Sequence, residues 1–278
     1  MSPESAIMGF YAGSATLMGT VIGSFLNVCI ARWPHDRSLL PRSACPHCNH
    51  PVRPKDLVPV LSWLWLRGKC RDCARPISPV YPMVELLMGM LGWLLFQRFI
   101  LEPGDLDPQH LFVWAFYLVF VSAMVVMAFV DLRYHIIPDQ TSSYSIPVGL
   151  LGVALLSWAG VEIWPLPSIK QALFGVLLGG GLLTIVSLFF GLVLGREALG
   201  WGDVKALAMI GAFLGAFPGV WSILFFASIL SAIFGILHLV LFKKRDYLPF
   251  APALALTAIL HVFYGDQYLK LCFPTMMP

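Results

Sequence analysis

Long apolar runs alternate with short polar loops along most of the 278-residue chain. Eight runs are read as membrane-spanning helices: 6–30, 82–101, 110–130, 142–160, 171–194, 204–217, 220–242 and 249–265. A helix needs about 20 apolar residues to cross a bilayer; the sixth run is short and glycine-rich. The first lacks the basic n-region and small-residue cleavage site of a signal peptide, so a retained helix is expected. Residues 31–81 contain no run long enough to span. The pattern predicts an all-α polytopic membrane protein of about eight transmembrane helices, with a small extramembrane domain between the first and second. Its expected divisions are a first helix (1–30), the small domain (31–81) and a transmembrane region (82–278).

Composition agrees with that pattern. The chain is 58% hydrophobic and 12% charged, whereas soluble domains carry about 25% charged residues. Its net charge of +3 points to no nucleic-acid partner. What matters is where the charges lie. Nine of the 18 Lys and Arg residues are Arg32, Arg37, Arg42, Arg53, Lys55, Arg67, Lys69, Arg71 and Arg75, opposed only by Asp36, Asp56 and Asp72. The positive-inside rule therefore puts 31–81 in the cytoplasm and both termini outside. Arg133, Arg196, Lys205 and Lys243–Arg245 then fall in inner loops, and Glu102, Asp105, Asp107, Glu162 and Asp266 in outer ones. Lys170, Lys270 and Arg98 are the exceptions.

This topology sets two acids on one face of the membrane. Asp131 ends the third run and Asp203 opens the sixth, in Gly200-Trp-Gly-Asp203-Val-Lys205. An ionisable group near a bilayer core costs roughly 2.5–3.5 kcal/mol on insertion scales, which marks it as a candidate functional group. Two carboxyls that meet can activate water as an acid/base pair. Other uses are an interfacial ion pair of Asp131 with Arg133, or a proton or metal-ion relay in a transporter. Gly200 and Gly202 allow close backbone approach or unusual φ, and Trp201 suits the interface. Asp139, after Pro138, reads mainly as a helix N-cap. Lys205 and Arg133 either bias the acids towards ionisation, anchor loops, or snorkel from helix ends.

The cytoplasmic segment carries Cys45-Pro-His-Cys48 and Cys70-Arg-Asp-Cys73, a C-x2-C-x21-C-x2-C pattern. Paired CxxC knuckles at this spacing suit a closed tetrathiolate zinc site, with Cys45, Cys48, Cys70 and Cys73 as ligands and zinc in a structural role. Redox or disulfide pairing is the alternative. About 50 residues hold too little core to fold alone, and metal supplies that stability. His47 and His50 are expected at the surface or behind the ligands. Cys29 and Cys272 are expected to be buried, as hydrophobe-like cysteines.

These residues together resemble the bacterial type IV prepilin peptidases, GxGD aspartic proteases of family A24. The likeness runs through Gly23-Ser-Phe-Leu-Asn27-Val, Arg32-Trp-Pro34, both knuckles with Gly68-Lys69, and Tyr81-Pro-Met-Val-Glu85. It continues through Asp131 to Ile137-Pro-Asp139, Glu197 to Lys205, and Pro249-Phe250-Ala251-Pro252. The resemblance implies Asp131 and Asp203 as the catalytic pair, and the four cysteines as zinc ligands. It implies an enzyme of the bacterial inner membrane that cleaves the leader of type IV prepilins or type II secretion pseudopilins after a glycine. It further implies S-adenosylmethionine-dependent methylation of the new N-terminal residue, usually phenylalanine. The partners implied are these substrates, membrane lipid and the pilus or type II secretion machinery. A one-activity peptidase is the alternative within the family.

No Rossmann-type fingerprint is present for the methyl donor. Gly68, Lys69 and Glu85 are the candidate cofactor residues, though a turn glycine, a surface lysine and a helix-end carboxylate would also account for them. The chain departs from the resemblance at Ala251, where the family often has glycine, and in a longer stretch around Trp158–Lys170. Neither departure is expected to touch the site.

Overall fold

The computed structural model describes residues 3–103, 107–194, 200–242 and 249–272. Asp105, Arg196, Glu197 and Lys243–Arg245, which entered the charge count or the motifs, lie outside the described residues. Ten α-helices are described: α1 (Pro3–Arg32), α2 (Leu61–Trp65), α3 (Val80–Phe96), α4 (Pro108–Tyr134), α5 (Ser145–Trp158), α6 (Ile169–Val176), α7 (Leu183–Leu194), α8 (Trp201–Leu214), α9 (Trp221–Phe242) and α10 (Ala251–Cys272). Each of the eight predicted runs is helical. Five segments are long and apolar enough to cross a membrane: Ile7–His35, Val80–Leu101, Pro108–Tyr134, Ile169–Val193 and Trp201–Leu241. The last contains two predicted runs, because Phe217 is extended (φ −134°, ψ 127°) and breaks α8 from α9. The protein is a multi-pass membrane protein of all-α architecture.

Contacts divide the chain into two compact units, Met1–Trp114 and Ala115–Pro278. In the first, α1 and α3 meet backbone to backbone, which small residues permit in membranes where apolar burial gives no drive between helices. Gly19 and Gly23 form a Gly-x3-Gly face. A Cβ on Gly23 would lie 2.8 Å from the Glu85 Cα, and one on Gly19 would collide with the Met88 carbonyl. From α3, a Cβ on Gly92 would lie 2.9 Å from the Ala15 carbonyl oxygen. Asn27, buried, donates to the Tyr81 carbonyl at 3.0 Å. That gives the Gly23–Asn27 motif a packing role. Arg32 then organises the chain leaving α1 by donating to the Ser38 and Leu39 carbonyls at 3.1 and 2.9 Å.

In the second unit, α8 is the buried centre. All its residues from Ala206 to Leu214 are buried. Gly175 of α6 meets Gly211 of α8 through their backbones, and a Cβ on Gly180 would touch Ala208. Phe213 stacks on Phe116 with centroids 4.8 Å apart and lies 5.1 Å from Phe120. Gly149 of α5 fits against the Phe213 ring, where a Cβ would come within 2.7 Å. Cys29 is buried as expected, but Cys272 is exposed, because it is the last residue of α10 and lies beyond that helix's packed face.

Candidate active site and metal centre

The cysteine segment is two copies of one turn. In the first knuckle the Cys45 N–H donates to the His50 carbonyl at 2.9 Å, and Asn49 N–H to the Cys45 carbonyl at 2.9 Å. In the second, Cys70 N–H donates to Arg75 at 2.8 Å and Ala74 N–H to Cys70 at 2.9 Å. Asn49 (φ 56°) and Ala74 (φ 57°) occupy the same left-handed position, and each knuckle closes with a bridge, Ala44 to Pro51 and Lys69 to Pro76. The repetition turns four sulfurs inward, all within 4.8 Å of one another. Cys45 Sγ and Cys73 Sγ are 3.8 Å apart. A tetrahedral zinc with bonds of about 2.3 Å has an edge near 3.8 Å, so the donor set fits the metal. Backbone N–H groups of His47 and Cys48 lower the Cys45 thiol to about 6, whereas burial and the neighbouring sulfurs raise Cys48 and Cys73. Two ion pairs lace the segment. Arg71 grips Asp56 through both oxygens (2.6 and 2.9 Å), and Arg53 meets Asp72 at 3.1 Å. The Arg71 guanidinium holds the Asp56 carboxyl below the usual range. His47 lies 3.5 Å from Arg75, outside the sulfur cluster.

Of the three cofactor candidates, two have internal tasks. Gly68 has φ +66°, and a Cβ there would meet the Trp63 ring at 2.8 Å. Glu85, buried in α3, accepts the Val60 N–H at 2.7 Å. Val60 (φ 61°, ψ −52°) is the centre of a rare positive-φ γ-turn, closed by Leu61 N–H to the Pro59 carbonyl at 2.6 Å. Lys69 is exposed.

The acids lie in the second unit. Asp131 stands one turn before the end of α4 and is buried, 5% exposed. Its Oδ2 accepts the N–H of Ala251, the first residue of α10, at 3.1 Å. Asp203 is half-buried in the first turn of α8, its own N–H donating to the Gly200 carbonyl at 3.0 Å. Each acid therefore meets the N-terminus of a helix: Asp131 that of α10 and Asp203 that of α8. In the Gly-x-Gly-Asp turn, close approach accounts for Gly202 but not for Gly200. Gly200 has an ordinary φ of −67°, and a Cβ on Gly202 would lie 3.1 Å from the Ile137 Cβ in the loop after Asp131. The structure thus brings the two motifs together.

Two expectations are corrected, and the ion pair offered as an alternative for Asp131 is not formed among the described contacts. Ala251 does touch the site, because the Pro249–Pro252 turn delivers its backbone N–H to Asp131. Asp139 is not an N-cap. Residues 139–144 are turns, α5 begins at Ser145, and Asp139 Oδ1 instead accepts from Lys205 Nζ at 2.7 Å and the Ser143 hydroxyl at 3.1 Å. Lys205 holds the Asp139 carboxyl below its ordinary range. Arg133 makes no ion pair with Asp131 among the described contacts, its guanidinium lying 5.3 Å from the Tyr134 ring centroid. The Ala251 contact was missed because its partner is 120 residues away. The one signal for it was the turn-forming Pro-x2-Pro just before the last apolar run.

Comparison with known proteins matches the same residues. Residues 17–99 match the bacterial peptidase A24 N-terminal domain, and residues 118–239 the type IV leader peptidase family. The prepilin leader peptidase/N-methyltransferase of Aeromonas hydrophila is 34% identical over 288 residues, covering 92% of each chain. The Escherichia coli O78:H11 protein named type 4 prepilin-like proteins leader peptide-processing enzyme is 35% identical, over 90% of this chain and 92% of that one. A Myxococcus xanthus prepilin leader peptidase/N-methyltransferase is 40% identical over 80% of this chain, which spans 62% of that relative's length. No solved structure matches. Motifs, compact units and relatives agree, and the chain belongs to the type IV leader peptidase family.

Proposed function

We propose that this chain processes type IV prepilins or type II secretion pseudopilins at the cytoplasmic face of the bacterial inner membrane. It cuts the leader after a glycine with Asp131 and Asp203. It then methylates the new N-terminal residue with S-adenosylmethionine as donor. The observation that carries the peptidase half is the meeting of the Asp131 loop with the Gly-x-Gly-Asp203 turn, each acid at a helix N-terminus. The names of relatives aligned over nine-tenths of the chain support both halves.

Two carboxyls in one another's field share a proton rather than both ionising. The ionised member takes a proton from water as the water attacks the scissile carbonyl. The protonated member donates to the carbonyl oxygen. No covalent intermediate forms. The Ala251 N–H fixes one Asp131 oxygen, leaving the other for water or substrate. The prepilin enters as a membrane helix with its basic leader in the cytoplasm, so its cleavage point reaches the level of the acids. Cys45, Cys48, Cys70 and Cys73 would hold zinc, and a closed four-thiolate site would supply folding stability to the 31–81 domain. The methyl donor is assigned to that domain and the start of α3, with Gly68, Lys69 and Glu85 as the residues to test. The domain is taken as residues 31–81, between the first and second apolar runs.

Incubating the purified protein with a prepilin and methyl-labelled S-adenosylmethionine tests both halves. The expected product is a shortened pilin labelled at its new N-terminus. Shortening without label removes the methylase half, and an intact prepilin removes the peptidase half.

A further inference from the structure

The segment between α1 and α3 carries an apolar face that no described contact covers. In α2, Leu61, Leu64 and Trp65 stand at i, i+3 and i+4 and share one side of the helix. They are 62%, 57% and 84% exposed. Leu57 and Val58, just before α2, are also exposed. Apolar groups this open, with a tryptophan among them, mark an interaction surface.

The depth of α2 identifies what covers it. Its N-terminus is pinned by the bond from Val60 N–H to Glu85. Glu85 is five residues inside the span Val80–Leu101, about 7.5 Å along a helix rising 1.5 Å per residue. Helices that lie in the headgroup region bury their apolar face about 5–10 Å. Val80, Met83 and Leu86, along the same stretch of α3, are exposed apolar residues as well. Charge adds to the match. Residues 31–81 carry nine Lys and Arg against three Asp, and four thiolates with one zinc would add −2, leaving an excess of bases. Lys55 and Arg67 flank α2 on either side.

We infer that α2 is an interfacial helix. Leu61, Leu64 and Trp65 insert into the headgroup region of the bilayer that holds α1 and α3, and the flanking bases bind anionic phospholipid. Tryptophan favours this zone, and bases beside an anionic surface are drawn to it. The inference rests on the membrane reading alone, so its failure leaves the peptidase proposal standing.

The test uses the full chain in lipid nanodiscs containing brominated phospholipid, with Trp65→Phe as the reference. The emission lost on substitution is that of Trp65. It is expected to be quenched by bromolipid and protected from aqueous acrylamide. Leu64→Trp in the Trp65→Phe background should restore a lipid-quenched component, which guards against a fold lost with the single change. Exchanging anionic for zwitterionic lipid should weaken the quenching in the parent and change it little in Lys55→Gln/Arg67→Gln. A Trp65 component quenched by acrylamide but not by lipid overturns the inference, since α2 then faces water. Protection from both quenchers also overturns it, since a protein surface, such as a second copy, then covers the helix. Equal quenching in anionic and zwitterionic lipid removes the claim for anionic headgroups.

Discussion

Replacing Glu85 tests how the cysteine segment is held on the membrane helices. Its carboxylate accepts the Val60 N–H at 2.7 Å in a buried setting. A hydrogen bond to a charged group contributes about 1.5–3 kcal/mol. The γ-turn it holds is strained by about 1–3 kcal/mol, because valine is branched at Cβ and sits at φ 61°. Glu85→Ala therefore removes the restraint and lets the strain relax by opening α2. A net loss of about 2 kcal/mol raises the opened population roughly 30-fold. Glu85→Gln keeps a neutral acceptor, whose bond contributes only about 0.5–1.5 kcal/mol, and should open α2 less. Val60→Gly removes the strain, since glycine adopts positive φ freely, and should offset part of the Glu85→Ala effect. Hydrogen exchange of amides 60–66 in nanodiscs reads the opening directly. The reasoning is refuted if Glu85→Ala leaves exchange there unchanged. If both variants lose methyl transfer equally while exchange stays at the parent level, the carboxylate acts on the methyl donor and does not serve to hold Val60.

Other outcomes follow from the same contacts. The purified protein should contain about one zinc per chain, and Cys45→Ser or Cys70→Ser should lower that content on elemental analysis; a metal-free protein that keeps the 31–81 fold contradicts the tetrathiolate site. Lys205→Met breaks the pair with Asp139, but with the two side chains 43% and 49% exposed the loss in thermal stability should stay below about 1 kcal/mol. Because Lys205 depresses the Asp139 carboxyl, the pair's contribution is present above the ordinary aspartate value near 3.9 and is lost as pH falls through the depressed one. The parent and Lys205→Met melting curves should therefore converge in acid, not at neutral pH. Gly23→Val drives a side chain into the α3 backbone beside Glu85, and overpacking of this kind costs about 1–3 kcal/mol, measurable as a lowered melting temperature in detergent.

The apolar runs were legible because a bilayer imposes a length on every helix that crosses it. Boundaries shifted where polar groups intervened. The fourth run, read as 142–160, starts as α5 only at Ser145, after Thr141 and Ser142 turn back to the Pro138 carbonyl. The knuckles were legible because their ligands are close in sequence and their spacing follows from metal geometry. What stayed hidden depends on distant partners. Glu85 reaches back 25 residues to Val60, Asp139 pairs with Lys205 66 residues on, and Ala251 N–H crosses 120 residues to Asp131. No local pattern encodes such a pairing. Asp139 shows the cost of local reasoning: its sequence setting fits an N-cap, yet a full positive charge from α8 is the stronger partner. The five-residue α2 escaped notice because it is too short to show a period and is bent into place by a bond to another helix.

The proposed function requires Asp131 and Asp203 to work as one unit. Asp131→Asn and Asp203→Asn each keep the size and hydrogen-bonding reach of the side chain while removing the carboxyl that takes or gives the proton. The direct measurement is prepilin cleavage by each variant, reconstituted in membranes and checked for insertion and zinc content. The account predicts that both variants insert, hold zinc and leave the prepilin uncut; cleavage that persists in both would contradict it.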